Sequence, residues 1–328
     1  MATIYEVAKL AGVSPATVSR VFNGTKVSED RERAVRKAAK SLQYTPNRTA
    51  RSLRRQHSEV IALIIPDIEN PYFTQMARGV EDVAQKAGYS VVLCNSDSSQ
   101  EKEARYLDIA MSENMAGVIV APATDKIDLS PLLNRNMHVV AVDRSTLSDI
   151  DCVMMANRHA GRAATQALLD AGYQRVACIT GPASIETASE RAEGWKDVLG
   201  ADSAQVRDGH LIYSSYRVVG GREAMQQLLA LDPAPDAVVA GNNLLGVGAI
   251  QVLTERGLTP PAFGVAVVGS LPFTTLTPAA VTVVRLPAGH MGTTAAQMLL
   301  ERLRGDSQPA RTVVLRNELV LADAAAVD

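Results

Sequence analysis

The chain has 328 residues, of which 47% are hydrophobic and 21% are charged, so disorder is excluded for most of its length and two or three globular domains are expected. The net charge of −2 hides an asymmetry, because residues 1–58 hold 12 Lys and Arg against 4 Asp and Glu, whereas the remainder holds 21 against 31. A head of charge +8 on a body of charge −10 predicts that one part binds a polyanion and the other does not.

The N-terminus and the cysteines indicate the compartment. No apolar leader segment follows Met1, and no 18-residue window is uninterruptedly apolar, so neither secretion nor a membrane span is expected. Cys94, Cys152 and Cys178 are far apart in strand-like surroundings, which predicts buried thiols in a reducing compartment. We therefore expect a cytoplasmic protein.

Two short helices are predicted at the start of the basic head. Thr3 and Glu6 have the spacing of a capping box, and the helix that they begin ends at Gly12. Ser14 is a second N-cap, followed by Pro15 at the first helical position. Two short helices joined by a glycine-containing turn are typical of a helix-turn-helix.

A third helix, capped by Ser28, completes the predicted all-α head and carries an apolar face from Val35 to Leu42. The head could be a small helical domain whose basic face is merely solvated. The second helix favours DNA instead, because Arg20 can reach a guanine edge with its two-pronged guanidinium while Val18 and Val21 turn inward.

The segment from Tyr44 to Arg55 has four arginines and few apolar residues. Such a segment cannot bury enough surface to fold alone, so we expect a disordered basic linker in the free protein. On DNA, Pro46 is well placed to begin a short hinge helix, with the arginines on phosphates and Leu53 inserted as a wedge in the minor groove.

The run from Thr3 to Leu53 resembles the DNA-binding head of the LacI/GalR family of bacterial repressors. The matching motifs are T-I-Y-E-V-A-K-L-A-G-V-S, T-V-S-R-V-F-N-G, V-S-E and Y-T-P-N-R-T-A-R-S-L. The resemblance implies phosphate contacts from Ser14, Thr17, Ser19 and Asn23. It implies base-edge contacts from Tyr5, Pro15, Ala16 and Arg20, and a kink at the operator centre from Leu53. The full set of residues that we assign to DNA is Thr3, Tyr5, Ser14, Pro15, Ala16, Thr17, Ser19, Arg20, Asn23, Asn47, Arg48, Ala50, Leu53 and Arg54.

From Val60 onward, apolar runs alternate with helix-periodic stretches. Eight runs are predicted as strands: 60–66, 90–95, 117–121, 139–143, 176–180, 211–214, 237–240 and 265–269. Continuous apolar runs suit strands buried on both faces, so an α/β body with parallel sheets in two lobes is expected. The predicted domains are a head at 1–45, a hinge at 46–58 and a body at 59–328. Within the body, the N-lobe takes 59–157 and 286–308, and the C-lobe takes 158–284 and 311–328.

Ligands of open α/β sheets bind at the carboxyl ends of strands, and with two lobes that crevice is the cleft between them. Candidate residues should therefore lie directly after strands. The segments that do so are Asp67 to Phe73, Asp143 with Arg144, Thr180 onward, and Gly241 with Asn242 and Asn243. A surface ion pair is the alternative interpretation for Asp143 and Arg144.

The body carries motifs that resemble the periplasmic-binding-protein-like effector domain of the same family, namely I-P-D-I-E-N-P-Y-F, A-G-V-I-V-A-P, V-A-V-D-R, C-I-T-G-P, R-A-E-G-W and A-G-N-N-L-L-G-V-G-A. By position, the resemblance implies effector contacts from Tyr72, Phe73, Asp143, Thr187, Arg191, Tyr216 and Asn242. Flat aromatic faces with directional polar groups suit a small polar ligand.

With Arg144 and Leu271, these residues make nine that we assign to the effector site. Leu271 departs from the family pattern, because the family usually has an acidic residue there that binds sugar hydroxyls. A leucine cannot accept those hydrogen bonds, and its presence leaves Arg191 less compensated. We therefore hypothesise an anionic effector, such as a sugar acid or sugar phosphate. A neutral sugar, polyol or nucleoside is the alternative.

Motifs of the common enzyme classes are missing from the sequence. It contains no G-x-x-x-x-G-K-[ST], G-x-S-x-G or H-E-x-x-H, and its five histidines and three cysteines have no ligand spacing. Neither catalysis, a cofactor nor a metal site is therefore predicted. Gly246-Val247-Gly248 lacks the third glycine of a dinucleotide fingerprint, which favours a role in helix packing.

We expect a repressor that binds a pseudo-palindromic operator as a homodimer, with an affinity controlled by a small effector, most often by induction in this family. Residues after Val320 show no heptad pattern, so no appended tetramer-forming coiled coil is expected. Control by a protein partner or co-repressor is one alternative. A solute-binding protein is a remote one, since it would have no use for the basic head.

Overall fold

A computed structural model describes residues 2–22, 26–44, 58–200, 209–271 and 280–322. The chain divides into two compact units, 1–58 and 59–328. Within the described ranges, no helix is both long and apolar enough to cross a bilayer.

The head unit contains three helices, α1 (Ile4–Ala11), α2 (Pro15–Phe22) and α3 (Glu29–Ser41). Their apolar faces meet in one small core formed by Val7, Ala8, Val18, Val21, Val35, Ala38 and Ala39. The inward orientation predicted for Val18 and Val21 is thus confirmed.

The predicted caps of α1 and α2 are present. Glu6 N donates to Thr3 Oγ1 at 3.4 Å and Thr3 N donates to Glu6 Oε2 at 2.7 Å, which completes the capping box. Gly12 ends α1 with φ +66°, a left-handed conformation that glycine adopts without strain. Thr17 N donates to Ser14 Oγ at 3.2 Å, so Ser14 caps α2.

The start of α3 differs from the prediction in one respect. Ser28 precedes the helix in extended conformation, but its side chain makes no capping hydrogen bond. Glu29, Asp30 and Glu32 lie in the first turn, where negative charge interacts favourably with the helix dipole.

The described part of the body contains twelve strands: β1 (Val60–Ile65), β2 (Ser90–Asn95), β3 (Gly117–Val120), β4 (His138–Val142), β5 (Asp151–Met155), β6 (Val176–Thr180), β7 (Leu211–Tyr213), β8 (Ala237–Ala240), β9 (Gly264–Val268), β10 (Thr282–Arg285), β11 (Thr312–Leu315) and β12 (Glu318–Val320). Its helices are α4 (Pro71–Lys86), α5 (Gln100–Ser112), α6 (Ser130–Leu133), α7 (Asn157–Asp170), α8 (Glu186–Leu199), α9 (Val218–Leu229), α10 (Asn243–Glu255) and α11 (Ala288–Leu303).

The strands form two six-stranded sheets, each the centre of one lobe. The first lobe has the order β11-β5-β4-β3-β1-β2 and is parallel throughout. The second lobe has the order β12-β10-β9-β8-β6-β7, in which only β12 is antiparallel to its neighbour. Central strands such as β3, β6 and β8 are buried along their whole length. The predicted α/β body with two parallel sheets is confirmed.

The chain passes between the lobes three times, near residue 156, at 286–287 and at 316–317. The third position corrects the prediction, which assigned residues 311–328 to the second lobe. Thr312–Leu315 pairs instead with β5 of the first lobe. The backbone of Arg311, directly before this strand, anchors the strand to β5. Cys152 N donates to Arg311 O and Arg311 N donates to Asp151 Oδ1, both at 2.8 Å.

Four strands, β5, β10, β11 and β12, were not predicted from the sequence. Three of them are only three or four residues long, and β11 and β12 lie at sheet edges with several exposed residues. Short edge strands lack the continuous apolar run by which a buried strand is recognised.

Glycines allow pairs of helices to approach closely in both lobes. A Cβ on Gly292 of α11 would lie 2.0 Å from Met76 O of α4, and one on Gly161 of α7 would lie 2.1 Å from Arg191 O of α8. A Cβ on Gly248 of α10 would lie 2.1 Å from Val218 O of α9, which confirms that this glycine serves helix packing.

The three cysteines are reduced and buried, as predicted. Cys94 and Cys152 lie in β2 and β5, and Cys178 lies in β6. Burial raises the pKa of Cys178 to about 12, so its thiol stays protonated at neutral pH.

Candidate DNA-binding surface and effector cleft

Helix α2 presents a polar surface opposite its buried valines. Arg20 is exposed in its last turn and makes no ion pair with any residue that the structure describes. Ala16 is exposed as well, while Pro15, Thr17 and Ser19 are half-buried. A guanidinium without an internal partner is available to a phosphate or a base edge.

The other predicted head residues are partly engaged within the head. Ser14 Oγ and Thr17 Oγ1 share a hydrogen bond of 3.0 Å, and Thr3 Oγ1 donates to Glu6 at 2.9 Å. Tyr5 is 71% exposed on α1. Asn23, Asn47, Arg48, Ala50, Leu53 and Arg54 lie outside the described residues.

The body contains a cavity of about 250 Å³ at the carboxyl ends of strands from both sheets. This position follows from the topology, because the carboxyl ends of parallel strands share one edge of each sheet. Eight of the nine predicted effector residues line it, namely Tyr72, Phe73, Asp143, Arg144, Thr187, Arg191, Tyr216 and Asn242.

Asp143 and Arg144 are buried, 4% and 5% exposed, which excludes the surface ion pair considered from the sequence. Asp143 Oδ2 lies 3.7 Å from Arg144 Nε, a distance too long for a hydrogen bond. Arg144 Nη1 donates to Pro122 O at 2.7 Å and Ala123 O at 3.3 Å, so these carbonyls hold the guanidinium in place.

Tyr72 joins this group from α4. Its hydroxyl donates to Asp143 Oδ1 at 2.8 Å, and its ring makes an edge contact with Phe73, with centroids 5.0 Å apart. Burial, and then the Asp143 carboxylate, raise the pKa of Tyr72 well above its usual value. The phenol therefore stays protonated and orients Asp143 through its hydrogen bond.

Arg191 reaches the cavity from α8. Its Nε and Nη2 donate to Asn157 Oδ1 at 2.9 and 2.7 Å, and its Nη1 donates to Gly241 O at 2.6 Å. The close approach of α7 at Gly161 brings Asn157 beside Arg191, so helix packing aims this guanidinium.

The second lobe contributes further polar groups. Asn242 also lines the cavity, and its Oδ1 caps α10 by accepting from Leu245 N at 2.7 Å. Thr187 Oγ1 and Tyr216 Oη are 3.3 Å apart. A Cβ on Gly181 would lie 2.2 Å from the Tyr216 ring, so the glycine leaves the space that the ring needs.

Leu271 is the exception among the predicted effector residues. It is half-buried and packs against the core of the second lobe rather than lining the cavity. Burial of an apolar side chain against other apolar groups is more stabilising than its exposure in a polar cavity.

Among the residues that the structure describes, three pairs make side-chain contacts across the cleft. Asn243 Nδ2 donates to Asn70 Oδ1 at 3.1 Å, and Arg217 Nη1 donates to Glu69 Oε2 at 3.2 Å. Ser145 donates from its backbone N and its Oγ to Glu186 Oε2, both at 2.8 Å. The two lobes are therefore held together by their own polar groups.

Sequence reasoning did not find Asn157 or Glu186, and it did not assign Asn70 or Asn243 individually, although both lie in the segments after β1 and β8 where candidate residues were expected. Asn70 could have been found from the N-cap signal that Asn70-Pro71 carries at the start of α4, where its side chain accepts from Tyr72 N at 3.0 Å. Asn157 carries no local signal, because its role depends on Arg191, 34 residues later.

Comparison with protein families gives two matches that together span most of the chain. The profile described as "Bacterial regulatory proteins, lacI family" matches residues 3–47. The profile described as "Periplasmic binding proteins and sugar binding domain of LacI family" matches residues 58–319.

Similar proteins include a ribose operon repressor from Halalkalibacterium halodurans, 35% identical over 306 residues, which are 92% of this chain and 91% of that protein. The transcriptional repressor PurR of Actinobacillus pleuropneumoniae serotype 5b is 33% identical over 98% of this chain and 97% of its own length. Among solved structures, a complex of the regulator CelR with cellobiose has TM-score 0.73 and 27% identity, covering 99% of this chain and 100% of that one. The Lac repressor dimer bound to operator has TM-score 0.86 at 24% identity, covers 97% of each chain, and shows the same fold.

Proposed function

The chain belongs to the LacI family of bacterial regulatory proteins, and from this premise we propose a homodimeric repressor that binds a pseudo-palindromic operator under the control of a small molecule in the interlobe cleft. The observation that carries the proposal is a helix-turn-helix whose second helix presents Arg20, combined with a body whose polar cavity lies between two lobes. Regulation, rather than catalysis, is also what the names of the similar repressors support.

The DNA-binding half of the proposal rests on α2 and on the basic segment that follows α3. A single head offers few base contacts, so useful specificity needs two heads arranged with two-fold symmetry. We propose that Arg20 reads a base edge and that Leu53, by its match to the family motif, is inserted at the centre of the operator.

Selection of bound sequences from a random duplex pool, with the full-length protein at moderate salt, tests this half. We expect a pseudo-palindrome of about 14–20 base pairs, since two half-sites lie about one helical turn apart. Enrichment of a single unrepeated half-site would contradict the dimer. Binding without any sequence preference would contradict the repressor function and reduce the head to a general polyanion contact.

The effector half rests on the cavity and on the contacts that cross it. A ligand that binds both walls changes the relation between the lobes, with the Asn70–Asn243 and Ser145–Glu186 contacts as the groups that reposition. Coupling is reciprocal, so operator binding changes the affinity for the effector by the same factor. We propose induction as the direction of control.

A second copy of the chain has a candidate surface on the body. β2 and β7 are the terminal strands of the two sheets, and exposed apolar side chains lie on or beside them, namely Ile68, Val92, Leu93, Tyr213 and Val219. Ile68 N donates to Asn95 Oδ1 at 3.0 Å, and the Glu69–Arg217 pair joins the lobes next to Ile68. The apolar residues thus continue from one lobe to the other, and exposed edge strands with apolar side chains favour pairing with another chain.

Val92→Asp should weaken dimerisation at least about tenfold, because it introduces a charge into an apolar contact. Val314→Asp is the matched control, since Val314 is exposed on β11 at the opposite edge of the same sheet. Sedimentation equilibrium of both variants measures the dissociation constant. A larger effect from Val314→Asp would move the interface to the opposite edge, and no effect from Val92→Asp would contradict this surface.

A further inference from the structure

The two walls of the cavity differ in charge. The lining residues of the second lobe include the cations Arg191 and Arg217 and no carboxylate, whereas those of the first lobe include three carboxylates, Asp67, Asp97 and Asp143, and one cation, Arg144. Arg217 is paired with Glu69 at the mouth of the cleft. Arg191 is 5% exposed, and no carboxylate among the described residues lies within ion-pair distance of it.

The protein partners of Arg191 are neutral and leave part of its guanidinium unused. An arginine has five N–H groups, and the Asn157 amide oxygen and the Gly241 carbonyl account for three of them. Asn242 directly follows Gly241 and also lines the cavity, and its amide nitrogen donates to none of the described residues. Two residues of the second-lobe wall, Arg191 and Asn242, therefore have N–H groups that no described residue accepts.

The sequence that directly follows β9 contains no carboxylate. Residues 270–279 read S-L-P-F-T-T-L-T-P-A and contain no aspartate or glutamate. A buried cation without an anionic partner is costly, and a bound anion removes that cost.

Two carboxylates interact with the arginines but do not line the cavity. Glu190 interacts with Asn157 and with Arg191, whereas Glu103 interacts with Arg144 and accepts a hydrogen bond from Ala123 N at 2.7 Å. Burial is the largest influence on both groups and raises the pKa of each, which weakens them as counterions. They reduce the positive charge of the site without contacting a ligand.

The opposite wall has an acceptor. Asp143 Oδ1 is taken by the Tyr72 hydroxyl, whereas Oδ2 lies 3.7 Å from Arg144 Nε and has no hydrogen-bond donor among the described residues. A ligand hydroxyl can donate to Oδ2. A cavity of about 250 Å³ is below the range of drug-sized sites, which run from about 300 to 1,000 Å³, and so suits a monosaccharide-sized ligand.

We propose that the effector is a small hydroxylated carboxylate, a sugar acid, held by its carboxylate on Arg191 and Asn242 and by a hydroxyl on Asp143. The inference rests on the proposed effector function of the same cavity. A planar carboxylate has two oxygens for the adjacent N–H groups, whereas a phosphate would leave a third oxygen to be satisfied.

Calorimetric titration of the full-length protein with matched ligand pairs tests the proposal. The probes are D-gluconate and D-glucuronate against D-glucose, D-ribonate against D-ribose, and glucose 6-phosphate as the phosphate arm. We expect at least one acid to bind at least about tenfold more tightly than its neutral parent, because a charge-assisted hydrogen bond contributes about that much. Tighter binding of the neutral sugars, tighter binding of the phosphate, or no binding by any acid would overturn the proposal.

Variants then assign the effect to Arg191. Arg191→Gln should lower the affinity for the acid at least about tenfold. It should change any weak affinity for the neutral parent by less than about threefold. Arg158→Gln is the matched control, because Arg158 lies next to Asn157 but is exposed and paired with Asp197 outside the cavity. Equal loss of acid and neutral sugar in Arg191→Gln would indicate a merely structural role and overturn the assignment.

The operator selection described above is carried out without ligand, so its outcome is independent of these titrations. If the selection yields a pseudo-palindrome but no sugar acid binds as expected, the repressor function is supported and only the proposed effector class is overturned. A failed selection would overturn the proposed function itself.

Discussion

Asp151→Ala is expected to lower the free energy of unfolding of the body by about 3–5 kcal/mol, the range measured when one member of a buried ion pair is removed. The Asp151 side chain is 1% exposed and accepts from Arg302 Nε and Nη2, both at 2.8 Å, in a two-pronged pair. It also accepts from Arg311 N at 2.8 Å. One carboxylate thus joins β5, the end of α11 and the start of β11. Its loss leaves the mostly buried Arg302 with only the more distant Asp306, 3.9 Å away, as an ion-pair partner among the described residues.

Urea denaturation of wild type and variant measures this loss. Asp149→Ala is the matched control, because Asp149 is exposed two residues away, and it should change stability by less than about 0.5 kcal/mol. A loss below about 1 kcal/mol in Asp151→Ala would show that solvent screens the pair.

The same pair predicts a pH dependence. Burial opposes ionisation of Asp151, but the hydrogen bonds from Arg302 and Arg311 outweigh it, so the pKa of Asp151 is held below the ordinary 3.8. A group whose pKa is lower in the folded state contributes its full stability above the unfolded pKa and loses it as pH falls through the folded value. The stability difference between wild type and Asp151→Ala should therefore narrow below about pH 4.

Arg20→Ala is expected to lower the affinity for the selected operator by about 1–3 kcal/mol per half-site, hence about 2–6 kcal/mol for a symmetric dimer. The reason is that Arg20 is exposed on α2 with no ion-pair partner among the described residues, so its guanidinium can form two parallel hydrogen bonds to a guanine. Arg20→Lys should recover little, because an ammonium keeps the charge but not the two-pronged geometry.

Fluorescence anisotropy with the selected operator and with unrelated DNA separates base readout from phosphate contact. Arg20→Ala should reduce the ratio of the affinity for the selected operator to the affinity for unrelated DNA. Arg33→Ala removes the same charge from α3, where Arg33 is 76% exposed and pairs with Asp30 at 3.3 Å, and should weaken both sequences about equally. An equal loss of affinity for both sequences in Arg20→Ala would show that Arg20 contacts phosphates rather than base edges.

The sequence predicted the head helices and most of the body because their signals are local. The capping box of Thr3 and Glu6, the stop at Gly12 and the cap at Ser14 each depend on residues within four positions of one another. The buried central strands carry continuous apolar runs for the same reason, since burial on both faces leaves no polar positions. Eight of the nine predicted effector residues line the cavity, because the family motifs stand where strands end.

The tertiary structure alone decided the remaining features, since each depends on groups far apart in the chain. Asn157 holds Arg191 only because α7 and α8 meet at Gly161, and the strand at Thr312–Leu315 joins the first lobe through Asp151, some 160 residues earlier. Leu271 follows a strand like the other predicted effector residues, yet it packs against the core of the second lobe, because an apolar contact stabilises its side chain more than a polar cavity would. Local patterns thus determined which segments are helices and strands and where the cleft lies. Long-range packing determined which charges in that cleft have a partner.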